Sequence, residues 1–181
     1  MIKLITAAFV IFIFTGLSPA GQWDLENKSL RKELAKLEET EPSAWKEMVV
    51  AEPYMVEGKF FRSGDSGQHK YLYAGRVKTC RQGGCSASSG LPSVNSEFFD
   101  YFILYEGNMA VSLVKIYNYE ASHGQEVMNK GWLKQFRRYD GSQALTVGKT
   151  IDAISGATIS VYALTNDIQE KTSILKKMAK K

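Results

Sequence analysis

The segment Asp152-Ala153-Ile154-Ser155-Gly156-Ala157-Thr158-Ile159-Ser160 gathers small residues and several side-chain oxygens just ahead of an apolar, helically spaced stretch. It reads as a loop feeding a helix. Its ordinary role is mechanical: Ser155 or Thr158 caps the helix while Gly156 makes the turn. The same residues also meet the needs of a phosphate, which are free N–H groups at a helix N-terminus, the positive end of the dipole and a glycine that allows close approach.

A second candidate is Cys80-Arg81-Gln82-Gly83-Gly84-Cys85. The pair lacks the two-residue spacing of redox dithiols, and in an oxidising compartment it is expected to close as a structural disulfide rather than relay electrons. His69 and His123 are the only histidines. No spacing among them and the cysteines matches a zinc module, and no His follows Cys85 as haem attachment requires. No arrangement suggests a catalytic triad, a paired-carboxylate site or a dinucleotide fold. A net charge of +4 over 181 residues is too weak a bias to argue for nucleic acid.

The elements that must hold these residues begin after residue 20. Lys3 is the only charge in the first twenty positions, residues 4–17 are almost continuously apolar, and Ser18-Pro19-Ala20 offers small residues for cleavage. This is the pattern of a cleaved secretory signal peptide, too short to span a bilayer, so export to the periplasm or to the outer face of the membrane is expected. An amphipathic helix follows with Leu30, Leu34 and Leu37 on one face, ending before Pro42. Strands are expected at 48–50, 59–62, 71–78, 98–105 and 109–117, the last two joined by a hairpin at Glu106-Gly107-Asn108. Residues 81–95 read as a surface loop braced by the cysteine pair.

Beyond Tyr119 the spacing predicts a short helical element over 127–136 that carries Trp132, Leu133 and Phe136 inward, then a turn at Asp140-Gly141 and a short strand over 144–147. A helix over 157–178 closes the chain, its terminal lysines placed where the helix dipole favours them and read as solvated. These patterns predict an α+β fold: an antiparallel sheet with a C-terminal helix packed on it, residues 21–181 forming one compact domain.

Asp152-Ala153-Ile154-Ser155-Gly156-Ala157-Thr158 resembles the flavinylation motif of the FMN-binding domain family, which includes the C subunit of the sodium-pumping NADH:quinone reductase and the Rnf G subunit. The resemblance implies an FMN-binding-domain-like fold and FMN esterified through its phosphate to Thr158 by a flavin transferase that uses FAD. It further implies that Ser155, Gly156 and Ala157 form the turn nearest the phosphate and that Asp152 opens the motif. It extends back to about Tyr101, so residues 96–181 form the FMN-binding region. Residues 21–95, the N-terminal helix and first strands with the disulfide loop, match nothing in the family. His123-Gly124 and Trp132-Leu133-Lys134-Gln135-Phe136 are similar to a subgroup with a His-Gly turn and a Trp-Leu-x-Gln-Phe element, where the respiratory subunits carry Glu-Thr-Pro-Gly.

A flavin ring is a flat aromatic plate that wants an apolar wall, which Trp132 can supply unless it is an ordinary core residue. His123 is either a flavin contact or a plain turn histidine. The implied function is electron transfer between membrane-associated donors and exported acceptors, with a flavin-dependent reductase acting on a small molecule, or a non-redox secreted binding module, as the alternatives.

Overall fold

The structure, a computed structural model, describes Leu25 and residues 27–36, 44–50, 54, 56–64, 69–79 and 97–179. The expected signal segment, and Cys80 and Cys85 with the loop between and after them, lie outside the described residues.

Five strands form one antiparallel sheet in chain order: β1 (Trp45–Met48), β2 (Gly58–Ser63), β3 (His69–Thr79), β4 (Glu97–Glu106) and β5 (Val111–Tyr119). Helix α1 (Lys28–Ala35) and the long C-terminal helix α3 (Thr158–Ala179) cover its two faces. This is the expected α+β arrangement of an antiparallel sheet with a C-terminal helix.

The period-two alternation of strands sets the layers. Phe99, Tyr101, Ile103 and Tyr105 of β4 face Val161, Leu164, Ile168 and Leu175 of α3. Phe102 and Leu104 point the other way, into a second cluster with Leu72, Trp45, Leu30 and Leu34. Buried on both faces, β4 is nearly continuously apolar from Phe98 to Tyr105 apart from Asp100. Asp100 is 1% exposed and is held by Arg76 from β3 (2.8 Å) and the Asn118 amide from β5 (2.9 Å), its register partners on either side.

Local differences from the sequence reading have identifiable causes. The first strand lies at Trp45–Met48 rather than 48–50, because Met48 makes the last pairing, with Phe60, and Val49 turns outward, 89% exposed. At the β4–β5 hairpin the positive φ falls not on Gly107 or Asn108 but on Met109 (φ 65°), one residue later. Met109 N–H donates to Glu106 O (2.9 Å), Glu106 N–H to Ala110 O (2.9 Å), and the Asn108 side chain accepts from Ala110 N–H (2.9 Å). These bonds make a three-residue loop ending in a left-handed residue.

The element expected over 127–136 is three short pieces: a 3-10 turn at Gln125–Met128, helix α2 (Lys130–Leu133), and a second 3-10 turn at Lys134–Phe136. Asn129 causes the break, its side chain accepting from Gly131 N–H (2.7 Å) and Trp132 N–H (3.2 Å) to start a new helix. No strand forms over 144–147; a single bridge links Val147 to Ile151. The chain turns at once through Gly148 (φ 83°), and the Thr150 hydroxyl accepts from Thr146 N–H (2.7 Å), so this backbone is satisfied locally. Among the described residues no helix is long and apolar enough to cross a membrane.

Candidate functional site

The loop before α3 turns at Ile154-Ser155-Gly156-Ala157, where Ala157 N–H donates to Ile154 O (3.2 Å). Gly156 takes φ 82° as the third residue, the signature of a type II turn. A Cβ there would meet nothing within 4 Å, so the requirement is for the dihedral and not for space. The turn delivers Ala157, 2% exposed, whose carbonyl accepts from Val161 N–H (2.9 Å) and starts α3. Thr158 is exposed at the first helical position.

The side-chain cap that local sequence suggested does not form: neither the Ser155 nor the Thr158 hydroxyl has a hydrogen bond among the described residues. The N–H groups of residues 158–160 have no intrahelical acceptor and find none elsewhere among the described residues. An anion beside them would meet those donors and the positive end of a 22-residue helix.

The far end of the loop is clamped. Trp132 Nε1–H donates to Asp152 O (2.8 Å), and Gln135 Oε1 accepts from Asp152 N–H (2.9 Å). Both backbone polar groups of Asp152 are thereby held by the Trp132-Leu133-Lys134-Gln135-Phe136 element, leaving its carboxylate on an exposed residue. Trp132 is 8% exposed and packs edge-on to Phe136 (5.3 Å), so its place is the core beneath the loop.

A third support comes from β5. The Tyr119 ring stacks on Phe99 (5.5 Å, 5°), its cross-strand partner, and its hydroxyl donates to His123 O (2.6 Å). The same hydroxyl lies 3.2 Å from Ser160 Oγ in the first turn of α3. Burial pushes the phenol above its ordinary value, with the Ser160 hydrogen bond opposing, so it stays a donor at neutral pH. Gly124 (φ 84°) follows His123 so closely under α3 that a Cβ would come within 2.7 Å of Ser160 Oγ. Packing therefore seats the His123-Gly124 turn beside the helix entrance.

These pieces enclose a cavity of about 290 Å³, lined by Thr79, Glu97, His123, Gly124 and residues 156–160. It brings together His123, Gly124, Gly156, Ala157 and Thr158. Asp152, Ser155 and Trp132 are not in its lining; Asp152 and Trp132 act on the loop from behind.

Several lining residues escaped the sequence reading. Thr79 and Glu97 are register partners at the sheet end below α3. Thr79 is 4% exposed, and among the described residues its Oγ1 has no hydrogen-bond partner, an orphaned polar atom at a cavity wall. Glu97 is engaged, accepting from the Ser122 hydroxyl and backbone N–H. Ile159 on the rim and Tyr162 one turn on are large apolar residues left 54% and 49% exposed. The signal for these two was available: both depart from the Val161, Leu164, Ile168 stripe that buries α3. No sequence signal pointed to Thr79, Glu97 or Tyr119, which reach the site only through strand register. No known protein family model, characterised protein or solved structure matches this chain.

Proposed function

We propose that this chain is an exported electron carrier holding one FMN by a phosphoester to Thr158 Oγ1. The carrying observation is that Thr158 stands exposed at an uncapped helix entrance, on the wall of a cavity shared with Gly156, Ala157, His123 and Gly124. A hydroxyl that neither caps its helix nor bonds to the protein is available to a modifying enzyme, and the donors beside it suit the phosphate of the product.

The residues present fit the group. The N–H groups of 158–160 would face the phosphate, the orphaned Thr79 hydroxyl offers a further donor, and exposed Ile159 and Tyr162 offer an apolar surface for a flat ring. Glu97 is the one carboxylate in the lining among the described residues and disfavours a doubly charged free phosphate more than a singly charged diester. At about 290 Å³ the cavity lies at the low end of the range of roughly 300–1,000 Å³ typical of small-ligand sites and would offer a diffusible cofactor little enclosure. A covalent tether answers that weakness outside the cytoplasm, where lost cofactor is not replaced.

Attachment moves no electrons: Thr158 Oγ1 loses its proton and bonds to the FMN-side phosphorus of FAD, the pyrophosphate bond breaks, and AMP leaves. When bound, the flavin supplies one- or two-electron transfer. The chain's own residues hold and orient. Gly156 supplies the left-handed turn, the Trp132 and Gln135 clamp fixes Asp152 where a flavin transferase reads it, and Tyr119 with Gly124 sets His123 at the wall. His123 also supports the second reading, a reductase in which it donates a proton to a small substrate. Reoxidation of the loaded protein by a small molecule without a second protein separates that reading from a carrier.

The test is co-expression with a flavin transferase, followed by denaturing electrophoresis and intact mass. Wild type is expected to give a fluorescent band and the mass of one added FMN, and Thr158→Val neither. Unmodified wild type, or fluorescence that survives in Thr158→Val, contradicts the proposal.

A further inference from the structure

At the far edge of the sheet from β1, β5 has no strand beyond it among the described residues, and α1 and α2 flank that edge from opposite faces. Between them lies a cavity of about 480 Å³, well inside the size range of small-ligand sites and sharing no lining residue with the one at Thr158. Its apolar lining comes from both faces of β5: Leu113 on the α1 side, and Val114 and Ile116 on the α2 side with Leu133 and the 39% exposed Met128.

The mouth is positive. Lys130, Lys134 and Arg137 stand at helical spacing, and among the described residues no carboxylate pairs with Lys130 or Lys134. The one acid in the lining among the described residues, Glu33, is neutralised by Lys115 and by Lys36 (2.5 Å). Tyr117, also in the lining, keeps a buried hydroxyl without a hydrogen-bond partner among the described residues. An aliphatic hollow, unpaired cations at its mouth and an orphaned donor inside call for a molecule with an apolar body and an anionic head.

We propose that this cavity binds a free single-chain aliphatic carboxylate, its chain along Met128, Leu133 and Ile116 on the α2 side and its head among Lys130, Lys134 and Arg137. A peptide added along the β5 edge is disfavoured at one end, because Tyr139 O and Arg138 N–H already bond Val111 (2.8 and 2.7 Å) and Arg137 Nε–H donates to Ser112 O (3.1 Å).

The experiment is calorimetric titration of protein expressed from the full sequence and purified without detergent, using dodecanoate below its micelle concentration. Dodecanol and dodecyltrimethylammonium are the comparison probes. One saturable site for dodecanoate is expected, weakened about tenfold or more by Lys130→Glu with Lys134→Glu, and blocked by Met128→Trp. These positions are exposed, so unchanged unfolding midpoints verify that the variants fold. Absence of saturable binding, equal affinity for the alcohol or the cation, or an affinity unmoved by the charge reversals overturns the proposal. Flavin attachment at Thr158 is independent of every one of these outcomes.

Discussion

Gly124 and Gly156 both adopt positive φ near the candidate site, yet their surroundings differ. At Gly156 an added Cβ meets only the dihedral penalty, so Gly156→Ala is expected to cost about 1 kcal/mol. At Gly124 the same penalty is joined by a contact of 2.7 Å with Ser160 Oγ, and displacing that side chain also disturbs the Tyr119 hydroxyl. Gly124→Ala is expected to cost about 2–4 kcal/mol. Urea midpoints of the two variants check the order; equal costs would mean that the His123-Gly124 turn is not pressed against α3. The glycines of this site were visible in the sequence as turn formers. Their difference was not, since it depends on a residue 36 positions away reached through the packing of α3.

The short elements around 125–136 act mainly on the loop that follows them. Trp132→Phe keeps an aromatic ring beside Phe136 but removes the donor to Asp152 O, and water can replace it only in part. We expect a loss of about 1 kcal/mol in stability and slower flavin attachment by the transferase, followed as the rate of appearance of in-gel fluorescence. Unchanged attachment with lowered stability would confine Trp132 to the core. Sequence periodicity placed Trp132, Leu133 and Phe136 inward, because burial leaves an apolar pattern. It did not disclose the break at Asn129 or the clamp on Asp152, because capping and side-chain-to-backbone bonds leave no period. The absent strand over 144–147 has the same root, a β-favourable composition overridden by a turn that satisfies its own backbone.

Two polar networks brace the molecule, one within the sheet and one between the sheet and α3. Asp100 is buried between Arg76 and Asn118, and Asp100→Ala leaves the guanidinium without its anion, at an expected cost of about 3 kcal/mol in unfolding free energy. On the α3 side, Asp167 meets the buried Tyr101 hydroxyl and Lys171 (2.9 Å). Burial, the largest influence, raises its pKa above the ordinary 3.8 against the opposing pull of Lys171 and Tyr101. The native state therefore keeps this proton to higher pH than the unfolded chain. The contribution is present below 3.8 and is lost as pH rises through the raised native value. The stability of wild type relative to Asp167→Asn is expected to decline over that window in urea titrations at stepped pH, and a flat difference would contradict the assignment. The α+β class and the order of strands and C-terminal helix were legible because the helices keep one apolar face and the strands short aromatic and β-branched runs, nearly unbroken in β4 where both faces are buried. The convergence of Thr79, Glu97 and the His123-Gly124 turn at the entrance of α3 was not, because it is set by register between strands distant in sequence.

The most direct measurement is peptide mapping by mass spectrometry of the protein isolated from its own cells. The peptide containing Thr158 is expected to carry the mass of one esterified FMN, with fragmentation placing it on that threonine. The unmodified peptide as the sole form, or FMN on another residue, contradicts it.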